Sequence, residues 1–80
     1  MEVLVSGMSA IRTPFQERTQ LTPTSPTTAT VLVHPLVEMD VVMRIVFDDG
    51  RRLSASVFAS SQRRVGGKWK LWLRFESPLS

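Results

Sequence analysis

From Ala29 onward, apolar and polar residues alternate with a period of two, and no other feature constrains the fold of this chain as strongly. Ala29, Val31 and Val33 alternate with Thr30, Leu32 and His34, up to Pro35. Val41, Met43, Ile45 and Phe47 alternate with Val42, Arg44 and Val46. Leu53, Ala55, Val57 and Ala59 follow, interleaved with Ser54, Ser56 and Phe58, and then Trp69, Leu71, Leu73 and Phe75, interleaved with Lys70, Trp72 and Arg74. Successive side chains of a strand point to opposite faces, so this period marks half-buried strands rather than helices. Four such segments separated by turn signals predict an antiparallel sheet with one buried face. Pro35 ends the first segment or confines it to an edge, because proline has no backbone donor for a central ladder.

The second and third segments also define their own register. A two-residue turn at Asp49-Gly50 would set Phe47 opposite Arg52 and Ile45 opposite Ser54, placing an apolar face against a polar one. A three-residue loop, Asp48-Asp49-Gly50, pairs Ile45 with Leu53, Met43 with Ala55 and Val41 with Val57. A slip of one residue flips every side chain, so the three-residue loop is predicted, with Gly50 at the left-handed position that closes a type I turn with a bulge.

The first 28 residues lack this regularity and are predicted to form an N-terminal arm and Thr/Pro-rich linker ahead of a β domain at 29–77. Val3 and Val5 flank Leu4 as a short edge strand or a disordered tail. Thr13-Pro14-Phe15-Gln16 matches a helix start, with a threonine N-cap, proline at the first helical position and glutamine at the third. Leu21 to Thr28 reads as an extended loop, since two prolines interrupt it and no apolar period runs through it. The fold class is therefore mainly all-β: a small four- to five-stranded antiparallel sheet or an SH3-like barrel, with one short helix at most. Its resemblance to SH3-like and other small barrels lies in this general pattern alone.

With 80 residues the chain makes one domain and buries a limited share of its surface. It has no cysteine, which rules out disulfides, thiolate metal sites and a cysteine nucleophile and suits a reducing, cytoplasmic compartment. Self-association or a bound partner would supplement so small a core, and Leu32, Val42 and Val46 at nominally outward positions point to a homo-oligomer. The N-terminal residues show neither a basic leader nor a long apolar run, so no membrane association is expected.

Charge is unevenly distributed. Residues 1–50 hold three arginines against six carboxylates, whereas residues 51–80 hold seven cations against Glu76 alone, within a net charge of +3. If odd-numbered residues face inward, Arg44, Arg52, Ser54, Ser56, Phe58, Lys70, Trp72 and Arg74 share the outer face. Arg63, Arg64 and Lys68 lie in the connection beside it, where Gly66 and Gly67 serve a turn or a close backbone approach to a ligand. Cations neutralise phosphates and flat rings stack on bases without regard to identity. The candidate binding residues are therefore Arg44, Arg52, Arg63, Arg64, Lys68, Lys70, Trp72 and Arg74, with Trp72 as the stacking platform.

No catalytic chemistry is expected. His34, the one histidine, has no partner at metal-ligand spacing and reads as a solvent-facing residue. The carboxylate pairs Glu38/Asp40 and Asp48/Asp49 have neither a glycine-spaced ligand loop nor a histidine beside them, so turn and solubility roles fit them better than acid–base work or metal binding. The chain contains no phosphate loop, dinucleotide fingerprint or nucleophile–base pair, so neither a cofactor nor a metal is called for. Two function classes remain: a nucleic-acid-binding module, or an interaction, inhibitor or assembly module docking on an acidic protein through the same cations with Trp72 as anchor.

Overall fold

The computed structural model describes residues 1–79 and contains six strands: β1 (Glu2–Met8), β2 (Pro14–Pro23), β3 (Thr28–Val33), β4 (Val42–Phe47), β5 (Arg52–Ser60) and β6 (Trp69–Phe75). Every pairing is antiparallel, the order around the sheet is β1-β2-β3-β6-β5-β4, and β4 returns to β1, so the sheet closes into a barrel. Closure removes the free edges that an open sheet would expose. The interior is filled by the inward phase of each strand, including Val3, Val5, Leu21, Val31, Val33, Met43, Ile45, Val57, Leu71 and Leu73. Val37, from the β3–β4 connection, plugs one end of the barrel, and Leu79, from the C-terminal segment, joins the core at the other. No buried side-chain nitrogen or oxygen among the described residues lacks a hydrogen-bond partner.

The β4–β5 hairpin has the register that alternation demands: Ile45 faces Leu53 and Met43 faces Ala55, while the Val57 N–H donates to the Val41 carbonyl. Gly50 sits at φ 88, and its N–H donates to the Phe47 carbonyl. An added Cβ at Gly50 would meet no atom within 4 Å, so only backbone conformation opposes a side chain there. Gly50→Ala is therefore expected to lower stability by about 1–2 kcal/mol without disturbing the fold, measured as a shift in urea midpoint at unchanged slope.

Residues 1–28 differ from the sequence-based expectation. They supply two of the six strands rather than an arm and linker, which raises the count above four or five, and no helix occurs among the described residues. The stretch expected to begin a helix at Thr13-Pro14 is the start of β2. Its inward phase is Phe15, Glu17, Thr19 and Leu21, and two polar members hid the alternation. Both are satisfied by β3 and the residue that follows it: Thr19 Oγ1 donates to the Leu32 carbonyl at 2.6 Å, and Glu17 Oε1 accepts from the His34 N–H at 3.0 Å. The prolines fit because of where their missing donors would point. Leu21 exchanges backbone bonds with Met1, so alternate residues of β2 face β1. Pro23 then points beyond the start of β1, and Pro14 points to the side of β2 that carries no ladder.

The Thr/Ser/Pro run is a tight β2–β3 turn instead of a linker. Thr28 Oγ1 lies 2.8 Å from Thr24 Oγ1 and 2.6 Å from Ser25 Oγ, and the Thr24 N–H donates to the Thr28 carbonyl. Hydroxyl side chains that bond their own backbone and each other make such turns rigid.

Candidate nucleic-acid interface

β2 and β3 pair only through Leu21–Pro23 and Ala29–Val31. Beyond that short ladder the two strands diverge, and a groove of about 490 Å³ opens along the seam. Arg18, Lys68 and Lys70 line it together with Thr19, Thr22, Thr30, Gln20 and Leu32, and Glu2 is its only carboxylate. The strands set this arrangement. Arg18 is on the outward phase of β2 opposite Leu4, and Lys70 is on the outward phase of β6 opposite Leu32. Lys68 arrives by a different route. Gly66 and Gly67, at φ 60 and 82, form a two-residue turn in which the Val65 and Lys68 backbones exchange hydrogen bonds. Two consecutive positive φ values define the turn that glycine pairs favour, and here it folds Val65 and Lys68 against the groove. These glycines serve the turn.

Next to the groove, β6 carries an alternating row of cations and aromatic contacts. Trp72 lies between Thr30 of β3 and Ala59 of β5, half-buried, with the Lys70 ammonium 5.1 Å from its ring centre. A bulge in β5 between Val57 and Ala59 shifts the register there. It turns Ala59, expected inward, to the side of Trp72, and Phe58 beside it lies under the Arg74 guanidinium at 4.7 Å. Cation–π contacts orient these charges without neutralising them.

The other cations lie elsewhere. Arg44 is on β4 between Ser6 and Ser54, across the barrel from the groove, and Arg52 pairs with Val46. Arg63 is exposed in the β5–β6 connection. Arg64 lies 5.8 Å from the Trp69 ring at the barrel mouth. Trp69, in phase with the core by sequence, is half-buried at the first position of β6, opposite Val33. β6 and the turn before it thus hold Lys68, Lys70, Trp72 and Arg74 on one side, while barrel closure spreads the rest around the circumference. Among the outward apolar residues, Leu32 lines the groove, Val46 is half-buried beside Leu4, and Val42 is exposed.

Asp49 and Arg51 form an ion pair, and His34 Nδ1 lies 2.7 Å from Glu17 Oε2 in a histidine–carboxylate hydrogen bond. Among the described residues, Arg51 is the cation of the basic third whose side chain forms an ion pair and hydrogen bonds. Its guanidinium bonds Asp49 Oδ2 at 3.0 Å, donates to the Leu79 carbonyl at 2.6 Å and covers Phe47 at 4.7 Å. The Arg51 backbone N–H, then its guanidinium, hold the exposed Asp49 carboxyl below the usual carboxylate range. A folded-state pKa below the unfolded one stabilises the turn above the unfolded pKa, and that contribution is lost as pH falls through the folded value. An NMR titration of the Asp49 carboxyl is expected to give a midpoint below that of an unfolded peptide, and Arg51→Ala should raise it.

Reasoning from sequence overlooked Arg18 and the threonine hydroxyls of the groove. The alternation of Gln16, Arg18, Gln20 and Thr22 could have exposed them, had Glu17 and Thr19 not filled the intervening positions. No three His, Asp or Glu side chains among the described residues converge to hold a metal ion. Comparison with protein-family models, with curated protein sequences and with solved structures finds no match.

Proposed function

We propose that this protein is a non-enzymatic domain that binds single-stranded nucleic acid in the β2–β3 groove and along β6. One observation carries the reading: Arg18, Lys68 and Lys70 converge on one groove, and none of them forms an ion pair among the described residues. Threonine hydroxyls and the Gln20 amide supply further donors for phosphate and sugar oxygens. Trp72, two residues along β6 from Lys70 on the same face, offers the apolar surface on which a base stacks. A groove at a strand seam, with no helix among the described residues to enter a duplex, suits a single strand better than a double helix.

Fluorescence anisotropy with short single-stranded and duplex DNA and RNA, titrated across salt, tests this. Three phosphates engaged by three cations correspond to a slope of log K against log salt of roughly −2 for a single strand. Single-strand binding with that slope, and weaker duplex binding, is the expected result. No binding at low salt would refute the reading and assign the cations to an acidic protein partner, with native mass showing whether that partner is a second copy of the chain.

A further inference from the structure

The three connections at one end of the barrel, residues 9–13, 34–41 and 61–68, gather apolar side chains that the core does not use. Ile11 is 83% exposed, and Leu36, Met39 and Val65 are exposed with it. Such a concentration at one end differs from the scattered apolar residues of an ordinary surface. The display is also rigid. The Ser9 N–H donates to the Thr13 carbonyl, the Arg12 N–H to the Ser9 carbonyl and the Thr13 N–H to Ser9 Oγ, with Arg12 at φ 62. The Ala10 N–H donates to the Leu36 carbonyl at 2.8 Å and locks the first connection to the second. Ile11 is thus held in water by a closed turn.

Between these connections lies a second cavity, about 370 Å³, lined by Ile11, His34, Pro35, Leu36, Arg64 and Trp69 among others. Its walls are mostly apolar, with Ser9 and the Glu17-bonded His34 as polar members, and at its rim the Arg64 guanidinium has no ion-pair partner among the described residues. The geometry points to a docking site for an extended segment of a partner protein, one that seats an apolar side chain between Ile11, Leu36 and Trp69 and sets a neighbouring carboxylate on Arg64. Concavity favours a side chain over a bilayer, into which a convex tip would insert, and Arg64 at the cavity rim selects a segment that carries a carboxylate. Preorganised apolar anchors reduce the ordering cost of association. The residues lining this cavity are not among those lining the nucleic-acid groove, to which Val65 belongs.

The test is selection of a displayed random-peptide library on the full chain, followed by affinity and backbone amide NMR measurements with the enriched peptides. Enriched sequences are expected to pair an apolar anchor with a nearby carboxylate and to shift the amides of Ala10, Ile11, Leu36 and Arg64. Ile11→Asp, at a position too exposed to affect folding, should weaken them about tenfold or more. Arg64→Glu should reverse the preference for acidic flanks. Single-strand nucleic-acid affinity of Ile11→Asp should stay at the parent value, which separates this site from the groove. Enrichment that Ile11→Asp leaves intact, amide shifts confined elsewhere, or peptides indifferent to Arg64→Glu would each overturn the proposal. So would loss of anionic-vesicle binding or of a dimer in Ile11→Asp without any peptide selected, which would assign the surface to lipid or to self-association.

Discussion

Leu73→Ala is expected to remove most or all of the stability of this barrel. Leu73 is fully buried on the inward phase of β6, directly between Ala29 of β3 and Val57 of β5. Its cross-strand neighbours are small or short and held in the ladders on both sides, so they cannot move in to fill the space. Truncation of a buried leucine costs about 2–5 kcal/mol, more where the site cannot collapse. A domain of this size has a total stability near the low end of about 5–15 kcal/mol. Urea denaturation followed by tryptophan fluorescence should show the midpoint fall by half or more, or no folded baseline at all. A loss below about 1 kcal/mol would contradict a close-packed interior around β6.

The second large effect is on binding. Trp72→Ala should weaken single-strand nucleic-acid affinity by about 1–3 kcal/mol, the range for removing an aromatic ring on which a base stacks. Lys70→Gln should act differently, flattening the salt slope by roughly 0.7, the share of a single phosphate that the ammonium neutralises. The Lys70 ammonium lies 5.1 Å from the Trp72 ring, so the two changes should not add. Anisotropy titrations of the two single variants and the double variant at several salt concentrations measure both effects. Full affinity in Trp72→Ala would remove the ring from the site. An unchanged salt slope in Lys70→Gln would remove the ammonium.

Legibility along the chain followed the chemistry of the inward phase. Where that phase was wholly apolar, as in β4 and β6, the strand and even the β4–β5 register could be read directly, because a slip would have turned Ile45 and Leu53 to opposite faces. In β2 the inward phase includes Glu17 and Thr19, and the period was lost. These side chains bridge to Leu32 and His34 across the seam where the β2–β3 ladder stops. The polar residues that concealed the strand are therefore those that hold the edge of the groove. Threonines and prolines at the β2–β3 turn misled in the same way, since a hydroxyl-bonded turn and a flexible linker draw on the same residue types.

The candidate site divides along the same line. Lys68, Lys70, Trp72 and Arg74 were visible as a basic, aromatic cluster because they are close in sequence. Arg18 joins Lys68 and Lys70 only because β3 lies between β2 and β6 in the barrel, an adjacency that local alternation does not encode. Arg44 is carried to the far side by the same closure. By itself the sequence determined strand character, the β4–β5 register and the excess of positive charge, all of which depend on residues near one another along the chain. Only the tertiary structure decided that the first 28 residues complete the barrel, which cations share a groove, and that apolar loop residues gather at one end. Those outcomes depend on how the sheet closes, and closure is settled by contacts between distant segments.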